Sequence, residues 1–564
     1  MKITYHGIFG VIDYDKSESN LFNRLREIFS VLDPNRFVVE AYRNHWWDGR
    51  DHVIDKNGKF LRGISPLLVK EIHKLGGKVE YTPYNDIWIH INSPYVHLAD
   101  ELSLQGIDLK DHQRKMTREL LAHGGGTVEG VTGSGKTESI TLLIRILLEF
   151  TDKVFFLVHR IGLMRNAMNR VVERCPELKN YCGLLGDLER PDPENRIIFS
   201  TAQSLSSVLG IGKKKKKDAE MVKLFKEAGA IIIDECHRVS GNQYIKLLSK
   251  APEVPIYQFS GTPEVDDPVK DWTIIGVGGP IVCKVTRTEM EKIGFIAEAI
   301  ACIRDFKRRA DEYSPGKRRR SIDWMPKKEK LTYYVDAWKV DEEGNLSSTE
   351  VKVDQDKGLD IEDDKDEYYL YPDYGRDMLF VEEERNQDIA DFVKMSVSIG
   401  RHPLILCERV AQTYYIRGIL KKMGDIDADQ VGIVHGSFDI RERKAVVDEY
   451  ESGKKPILIA SSIFDEGEDI QNVGSVVLAS GGASLVKVIQ RIGRGVRAKK
   501  ANMGNWIPIW FPLDGLTPFS REHTVSRIKY LERSEITIEE CTTDWNTFFR
   551  YLNKKYGDNP NRNA

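Results

Sequence analysis

Short apolar runs, each followed by a polar or glycine-rich cluster, recur along the chain. They lie at 154–160, 196–203, 230–235, 255–262, 403–409, 456–462 and 475–482. Their apolar residues are continuous and do not alternate with polar ones, which is typical of strands buried on both faces of a parallel sheet. Helical patterns lie between several of the runs, for example at 140–150. The pattern predicts doubly wound α/β units, in which ligands bind beyond the carboxyl ends of the strands.

The runs fall into two groups, one before residue 270 and one after residue 400, which predicts two α/β lobes. The segment between them carries basic clusters at 307–309 and 317–320, an alternating stretch and then an acidic stretch. We interpret it as an insertion with β-hairpin character, attached to the second lobe. The predicted division is an accessory region at 1–105, a first lobe at 106–290, a second lobe at 291–515 with an insertion at about 304–375, and a helical tail at 516–564.

Composition narrows the class of protein. A chain of 564 residues exceeds what one hydrophobic core normally organises, and its 41% hydrophobic and 30% charged residues are typical of globular proteins. No apolar run approaches the roughly 18 residues that span a bilayer, and no secretion signal is visible at the start. We therefore expect a cytoplasmic protein, in the host's cytoplasm if the chain is phage-encoded.

The net charge and the cysteine content argue against a general attraction to polyanions and against a structure held by zinc or disulfides. The net charge of -3 gives no general attraction to polyanions, so contact with nucleic acid requires local basic surface. The 7 cysteines are scattered without a CxxC pair, which argues against structural zinc and against a disulfide framework.

The segment GVTGSGKT at 130–137 fits the phosphate-binding loop pattern GxxxxGK[ST] between a strand and a helix. Its glycines allow backbone N–H groups to surround phosphates, and the helix start favours negative charge. Lys136 is expected to neutralise the β and γ phosphate oxygens, and Thr137 to coordinate Mg²⁺. The predicted ATP-binding residues of this loop are Gly130, Gly133, Ser134, Gly135, Lys136 and Thr137.

The run at 230–235 ends in two adjacent carboxylates, Asp234 and Glu235, followed by Cys236 and His237. Phosphoryl transfer needs one group to hold Mg²⁺ and another to orient and deprotonate the attacking water. We assign the first role to Asp234 and the second to Glu235. A lone Asp-Glu pair at a strand end is often only solvated, but its combination with a phosphate-binding loop favours catalysis.

Four motifs in this order resemble motifs I, II, III and VI of superfamily 2 helicases. They are GVTGSGKT, the DECH box at 234–237, Ser260-Gly-Thr262, and the QxxGRxxR segment at 490–497. The resemblance covers roughly residues 106–515. It implies two tandem RecA-like lobes of doubly wound parallel sheet that open and close as ATP, held with Mg²⁺, is consumed.

The resemblance also implies roles for individual residues in the ATP site. Arg494 and Arg497 would act as arginine fingers from the second lobe, and Gln490 would help to sense the γ-phosphate. Gln113, in an Asp-His-Gln triplet upstream of the loop, resembles the adenine-reading glutamine of such helicases. The residues that resemble couplers between hydrolysis and lobe movement are His237, Ser260 and Thr262. The alternative for His237 is that it is a histidine packed in the core.

The nucleic-acid track is implied by further family motifs, Ia and Ib in the first lobe and IVa and V in the second. Gly467 and Asp469 match the GxD of motif V at the nucleotide, whereas Glu466 stands where the family commonly has arginine. Hydroxyl, amide and strand-end N–H groups suit contacts with phosphates that are independent of base sequence. The implied nucleic-acid contacts are His159, Arg160, Thr201, Gln203, Ser204, His435, Gly436, Ser461 and Ser462.

Five consecutive lysines at 213–217 have two interpretations. Lysine runs without interleaved aromatic residues are often solvated loops, and this is the plainer interpretation. The alternative is an additional electrostatic contact with nucleic acid. The same choice applies to the basic clusters at 307–309 and 317–320.

The segment Trp47-Asp-Gly-Arg50 resembles one near the start of the phage UvsW-type recombination helicases. Their small α+β accessory domain has similar strand, turn and helix spacing. Members of that group remodel branched DNA by branch migration, fork regression and R-loop unwinding. Arg50 is thereby implied as a nucleic-acid contact, while Trp46 and Trp47 have the alternative of packing a small core.

The expected partner is accordingly DNA, branched, forked or in an R-loop, as a single strand or a duplex, with RNA present in hybrids. Replication or recombination proteins are further expected partners, a membrane is not, and we expect a monomer. Two other functions compete. One is the duplex-translocating subunit of a restriction or defence system, although no nuclease motif such as PD…ExK is visible. The other is a nucleic-acid clamp with an inactive ATPase fold, against which the intact motifs argue.

Overall fold

The structure is a computed structural model that describes residues 1–33, 36–81, 86–212, 217–238, 242–261, 263, 267–306, 333–354, 358–359, 367–370, 382–461, 470, 472–479, 505–514 and 518–557. The chain divides into two compact units, Met1–Thr286 and Arg287–Ala564. None of the helices within the described residues is long and apolar enough to cross a membrane.

The first unit begins with a small mixed sheet in the order β5-β2-β1-β6, and β3 and β4 form a separate antiparallel pair. Its strands are β1 Lys2–His6, β2 Phe9–Asp13, β3 Ser30–Leu32, β4 Arg50–His52, β5 Lys59–Leu61 and β6 Glu80–Tyr81. Its helices are α1 Ser19–Ile28, α2 Glu40–Arg43, α3 Ser65–Lys74, α4 Asp86–Asn92 and α5 Leu98–Glu101. The side chains of α1 and α3 that face the sheet, such as Leu25 and Leu68, are fully buried. This is the small α+β accessory domain implied by the resemblance.

The rest of the first unit is a seven-stranded parallel sheet in the order β13-β7-β12-β11-β8-β10-β9. The strands are β7 Gly126–Gly130, β8 Val154–Val158, β9 Cys182–Leu185, β10 Ile197–Thr201, β11 Ala230–Asp234, β12 Ile256–Ser260 and β13 Ile281–Val285. The helices are α6 Asp111–Ala122, α7 Lys136–Leu147, α8 Ile161–Arg174, α9 Ala202–Val208, α10 Ala219–Lys226, α11 Asn242–Leu248 and α12 Pro268–Gly278. Strands β8 and β10 are buried along their whole length, as the continuous apolar runs predict.

The accessory domain packs on α12, the helix that follows β12. The buried guanidinium of Arg62 donates to the backbone oxygens of Gly7 and Val254, and so joins the two parts. Phe29 lies 5.3 Å from Trp272 of α12 between ring centroids. The accessory domain is therefore built into the first lobe through shared core.

Gly63 lies where the backbone of the accessory domain closely approaches that of α12. A Cβ atom there would stand 2.3 Å from the backbone oxygen of Ile275 and 2.7 Å from the backbone nitrogen of Gly279. We predict that Gly63→Ala lowers the free energy of unfolding by about 1 to 3 kcal/mol, because the backbones must separate. Gly162→Ala is the matched control, since a Cβ there meets nothing within 4 Å. Thermal unfolding midpoints of the two variants test this, and equal midpoints would contradict it.

The second unit contains another seven-stranded parallel sheet, in the order β20-β21-β19-β22-β23-β14-β24. Its strands are β14 Glu298–Phe306, β19 Pro403–Leu406, β20 Val431–Val434, β21 Ile457–Ala460, β22 Ser475–Leu478, β23 Trp506–Asp514 and β24 Thr537–Glu540. Its helices are α13 Arg287–Lys292, α14 Glu383–Ser398, α15 Val410–Met423, α16 Ile440–Glu451, α17 Pro518–Arg533 and α18 Trp545–Tyr556. The prediction of two RecA-like doubly wound lobes is confirmed.

The insertion forms a separate antiparallel sheet in the order β17-β16-β15-β18. Its strands are β15 Tyr333–Asp341, β16 Leu346–Asp354, β17 Gly358–Leu359 and β18 Glu367–Leu370. The turn between β15 and β16 rests on α15, where Gly344 and Gly418 bring the two backbones together. The expected hairpin character is therefore present, whereas the basic clusters at 307–309 and 317–320 lie outside the described residues.

The C-terminal tail is part of the second lobe. It contains the strand β24, which pairs with β14, in addition to the helices that its pattern predicts. Arg527 of α17 and Arg385 of α14 both bind the fully buried carboxylate of Asp514, at 3.2 Å and 3.1 Å. Separating Arg527 from Asp514 would leave a buried charge without its partner, which is strongly unfavourable. This ion pair therefore holds the tail on the lobe.

Candidate nucleotide and nucleic-acid site

Five neighbouring strands of the first lobe end in loops that carry candidate functional residues. In sheet order they are β7, β12, β11, β8 and β10. Because the strands are parallel, their carboxyl ends lie along one edge of the sheet. The phosphate-binding loop, Ser260, Glu235, His159 and Thr201 therefore occupy the same edge.

The phosphate-binding loop connects β7 to α7. Gly133 and Gly135 have φ values of 89° and 80°, in the left-handed region that glycine adopts without steric cost. A Cβ at Gly135 would lie 1.9 Å from Nε2 of Gln113, so the position also requires a residue without a side chain. Lys136 Nζ donates to the backbone oxygen of Gly130 at 2.8 Å and so spans the loop.

The loop has the donors that a triphosphate requires. Its backbone N–H groups lie at the start of α7, where the helix dipole favours anions. The hydroxyl of Ser134 is fully buried and has no hydrogen-bond partner within the described part of the chain. Lys136 supplies a cation on the same loop. These residues fit the phosphates of ATP, and Thr137, half-buried at the start of α7, follows directly.

Helix α6 holds the phosphate-binding loop and α7 in place by hydrogen bonds from residues that the sequence analysis did not identify. His112 Nε2 donates to the Ser134 backbone oxygen at 3.0 Å. The Thr117 hydroxyl donates to the Ser139 backbone oxygen and the Ser139 hydroxyl donates to the Gln113 backbone oxygen, both at 3.0 Å, and these bonds join α6 to α7. His112 lies within the Asp-His-Gln triplet, but nothing in the sequence distinguishes Thr117 or Ser139 from other buried hydroxyls.

Gln113, implied as the adenine contact, lies against the loop. Its Oε1 accepts a hydrogen bond from the backbone N–H of Lys110 at 2.9 Å, and its amide nitrogen faces Gly135. The side chain is 4% exposed, so the amide is already ordered by its own helix. Gln113 therefore lies against the phosphate-binding loop and caps α6, and its contact with adenine stays a prediction.

The DECH box follows β11 with unusual backbone geometry. Glu235 has a φ of 54°, a left-handed conformation that costs a non-glycine residue about 1 to 2 kcal/mol. Its backbone N–H donates to Asp234 Oδ1 at 2.9 Å. Strain of this kind concentrates at functional sites. Here it turns the chain directly after β11, between the two carboxylates that are assigned different roles.

His237 connects the DECH box to the next strand. Its Nδ1 lies 3.3 Å from Glu235 Oε2 and 3.2 Å from the hydroxyl of Ser260, at the end of β12. Gly261 continues to the phosphate-binding loop, since a Cβ there would lie 3.1 Å from Thr132 Oγ1. The residues assigned to coupling therefore join the predicted base to the predicted phosphate loop. Thr262 lies outside the described residues.

The first-lobe nucleic-acid candidates differ in accessibility. Arg160 and Gln203 are exposed, and His159 and Ser204 are half-buried. Thr201 is 4% exposed, and its hydroxyl accepts from the backbone N–H of Ser204 at 3.0 Å, which caps α9. The Thr201 hydroxyl is thus used to begin a helix, and its contact with nucleic acid stays a prediction.

The second-lobe candidates are less accessible than expected. His435 is 2% exposed, its Nε2 lies 2.8 Å from the Tyr414 hydroxyl, and burial lowers its pKa. Ser461 is also 2% exposed. Their side chains therefore face the core, which leaves the half-buried backbone at Gly436 as the accessible group of this motif. The candidates outside the described residues are Ser462, Gly467, Asp469, Gln490, Arg494 and Arg497.

Arg50, the accessory-domain candidate, is half-buried, and one guanidinium nitrogen donates to the Ser30 hydroxyl at 3.0 Å. Trp47 packs edge-on against Tyr42 and donates from Nε1 to the Arg50 backbone oxygen at 2.8 Å. Trp46, by contrast, is 76% exposed. Trp47 is thus partly packed against its neighbours without belonging to the buried core, while Trp46 lies on the surface.

Two families match the chain, one on each lobe. The family described as "Type III restriction enzyme, res subunit" matches residues 106–265, and "Helicase conserved C-terminal domain" matches residues 384–499. The first match contains the phosphate-binding loop and the DECH box, and the second contains the QxxGRxxR segment.

The chain carries both helicase domains and is similar to the superfamily 2 helicases.

Among viral relatives, the helicase is 23% identical over 520 residues to "ATP-dependent DNA helicase uvsW" of Enterobacteria phage T4, covering 88% of each chain. It is 24% identical over 415 residues to "Putative helicase 22" of Sulfolobus islandicus filamentous virus, covering 72% of this chain and 65% of that relative. The crystal structure of T4 UvsW aligns over 96% of this chain and 99% of its own at 18% identity, with a TM-score of 0.41.

Proposed function

We propose that this helicase uses ATP and Mg²⁺ to remodel branched DNA through branch migration, fork regression and R-loop unwinding, in phage-type replication, recombination or repair. The observation behind the proposal is the contact from Glu235 through His237 to Ser260. It connects the predicted hydrolytic residue to the end of the neighbouring strand β12. Similarity to T4 uvsW over 88% of both chains supports the branched-DNA substrate.

The nucleotide-binding roles follow from the donors of the first lobe. The backbone N–H groups of 130–137 and Lys136 bind the phosphates, and Thr137 and Asp234 hold Mg²⁺. When bound, Mg²⁺ with ATP supplies a phosphoanhydride bond and a cation that neutralises charge developing during phosphoryl transfer. Gln113 contacts the base beside the loop.

Glu235 acts as the general base that orients and deprotonates water. Its carboxylate lies within 3.3 Å of His237 Nδ1, so movement of the carboxylate is transmitted to Ser260 at the end of β12. In the second lobe, Arg494 and Arg497 stabilise transition-state charge, Gln490 senses the γ-phosphate, and Gly467 with Asp469 completes the site. Closure of the lobes brings these groups together, and nucleic acid favours the closed state.

The nucleic-acid track runs along the edge on which β8 and β10 end. Arg160 and Gln203 present an exposed cation and an exposed amide, and Ser204 presents a hydroxyl. Such groups bind phosphate and sugar without reading bases, which suits a motor that moves over any sequence. In the second lobe we assign the contact to the backbone near Gly436.

The accessory domain adds a surface suited to DNA junctions. Phe37, Val38 and Trp46 are 61%, 74% and 76% exposed, and the guanidinium of Arg36 lies 4.2 Å from the Phe37 ring centroid. Exposed aromatic rings with arginines provide stacking platforms for unpaired bases. This surface, with Arg50 beside it, is assigned to the recognition of branched substrates.

We predict that Trp46→Ala weakens binding to a model fork about tenfold, because one base loses its stacking partner. Basal ATP hydrolysis should not change, since the residue lies outside the nucleotide site. Val525→Ala is a control for truncating an exposed apolar side chain, as Val525 is 48% exposed in the second unit. Fluorescence anisotropy with labelled fork and duplex DNA measures the effect. Parent-like binding to the fork would remove this surface from substrate recognition.

The test of the whole proposal is the ATPase rate without nucleic acid and with single-stranded DNA, duplex DNA, a fork or an R-loop, each with a strand-separation readout. We expect the branched substrates to stimulate hydrolysis and to be unwound. Absence of stimulation by every substrate would contradict the proposal and favour a clamp with an inactive ATPase fold.

A second function is favoured by the family match at residues 106–265, whose description is that of a restriction-enzyme subunit. A motor of that class would translocate on duplex DNA without full strand separation. Stimulation by duplex DNA, with no unwinding of forks or R-loops, would support it in place of branched-DNA remodelling.

A further inference from the structure

Helix α12 lies between the accessory domain and two strands that lead into the nucleotide site. On the side of the accessory domain, a Cβ atom at Gly276 would stand 2.6 Å from Cβ of Leu61, so the two parts are closely packed. On the side of the sheet, a side chain at Gly278 would overlap the amide of Gln258 on β12. Because close-packed interiors transmit displacement, a movement of the accessory domain must move α12 against the sheet.

A buried threonine on β7 joins the end of this helix to β12. The Thr127 hydroxyl lies 2.9 Å from Oε1 of Gln258 and 2.9 Å from the backbone oxygen of Gly279, which directly follows α12. Thr127 and Gln258 lie opposite each other where β7 pairs with β12, and they are 1% and 0% exposed. The hydroxyl, the amide and the backbone oxygen therefore meet within the core of the first lobe.

The Thr127 hydroxyl has one proton and two acceptors. It can donate to Gln258 Oε1 or to the Gly279 oxygen, but a single proton cannot form two full hydrogen bonds at once. The amide nitrogen of Gln258 has no hydrogen-bond partner within the described part of the chain. A buried polar group without a partner is unfavourable, so this network is incompletely satisfied. One hydrogen bond with two alternative acceptors is a two-state element of the kind that couples separate sites.

The groups of this network lie close to functional residues along the chain. Thr127 is three residues before Gly130, where the phosphate-binding loop begins, and Gln258 is two residues before Ser260, which is assigned to coupling. The Gly279 oxygen belongs to the end of the helix on which the accessory domain packs. Transfer of the hydrogen bond from Gln258 to Gly279 would therefore tie β7 to α12 in place of β12.

We propose that Thr127 is a positioning residue that couples the accessory domain to the phosphate-binding loop, so that DNA bound by the accessory domain accelerates ATP hydrolysis. Displacement of α12 changes the acceptor to which the hydroxyl donates, and β7 transmits this change to the loop. The inference rests on the proposed function, since it requires that branched DNA binds the accessory domain. It adds a second way in which DNA stimulates hydrolysis, besides closure of the lobes.

The test compares the full-length parent with Thr127→Val, Gln258→Met and Thr127→Ser. Thr127→Val has nearly the same shape but no hydroxyl, and Gln258→Met leaves the hydroxyl with a single acceptor. Thr127→Ser keeps the hydroxyl and is the matched control. For each protein, the affinities for a labelled fork and for single-stranded DNA are measured with and without a non-hydrolysable ATP analogue. ATP hydrolysis and thermal unfolding are measured alongside.

In the parent, we expect the analogue to tighten fork binding about tenfold more than it tightens single-strand binding, a coupling of ordinary size. In Thr127→Val and Gln258→Met the two factors should become equal, and stimulation by the fork should fall to the level given by single-stranded DNA. Hydrolysis without DNA, and fork affinity without the analogue, should match the parent's because the DNA-binding surfaces and the phosphate-binding loop are intact. Thr127→Ser should retain the parent's difference.

Parent-like coupling in Gln258→Met or in a folded Thr127→Val would overturn the inference. Equal loss of hydrolysis with and without DNA would also overturn it, by making the network purely structural. If Thr127→Val does not fold, Gln258→Met decides the question, because that change removes the amide nitrogen that has no partner. Equal factors for the two DNAs in the parent would overturn the inference alone, whereas failure of the proposed function is recognised by a parent that no DNA stimulates.

Discussion

Replacing Glu235 by glutamine is expected to lower the rate of ATP hydrolysis by about 10²- to 10⁴-fold. Glutamine has nearly the same shape but cannot accept a proton from the attacking water. The glutamine can still lie near Nδ1 of His237, which is 3.3 Å from the carboxylate in the parent. The contact between His237 and Ser260 is therefore expected to remain. ATP affinity should stay within a few-fold of the parent, because the phosphate-binding loop is intact.

The measurement is single-turnover hydrolysis of ATP at saturating fork DNA, with ATP binding followed separately by a fluorescent analogue. Glu129→Gln is a suitable control, since Glu129 lies on β7 next to the phosphate loop but pairs with Lys284 at 2.9 Å. It should hydrolyse ATP at close to the parent's rate. Unchanged turnover in Glu235→Gln would remove the general-base assignment, and with it the central part of the mechanism.

Replacing Arg494 by alanine is expected to lower hydrolysis by about 10³- to 10⁵-fold, the effect of losing an arginine finger. The expectation rests on the QxxGRxxR match within residues 384–499, because Arg494 lies outside the described residues. Arg494→Lys should restore little activity, since an ammonium group cannot reproduce the planar two-pronged donor of a guanidinium.

Arg491→Ala is the matched control, because Arg491 lies in the same segment at a position that the motif leaves variable. It should keep most of the parent's rate. The assay is again hydrolysis with and without fork DNA. If Arg494→Ala retained both the basal rate and the stimulation, the second lobe would not complete the nucleotide site through this residue.

The fold class was accessible from the sequence because buried parallel strands leave a local signature. All seven apolar runs became strands, for example β8 from 154–160 and β21 from 456–462. Strands with a weaker signature were missed. β14 precedes the insertion along the chain, yet it pairs with β23, more than two hundred residues later, at Glu298↔Trp506. Only the pairing partner identifies it as part of the second sheet.

The sequence identifies candidate site residues best where a motif is required by a single chemical task. The glycines of the phosphate loop and the adjacent carboxylates of the DECH box are required by local backbone geometry and by the chemistry of phosphate transfer. His435 shows the limit of such reasoning. Its position in a motif suggested a contact, but its ring is buried and its Nε2 lies 2.8 Å from the hydroxyl of Tyr414, 21 residues earlier in the chain. Burial depends on distant residues, which spacing does not specify.

The sequence by itself determined the lobes, the phosphate loop and the order of the helicase motifs, because each depends on residues close together along the chain. Tertiary structure decided which groups meet: His237 with Ser260, Arg62 with Val254, and Gly186 with Ser204. These contacts arise from the parallel stacking of strands whose order in the sheet differs from their order in the chain. That order is set by packing of the whole core, so no local pattern contains it.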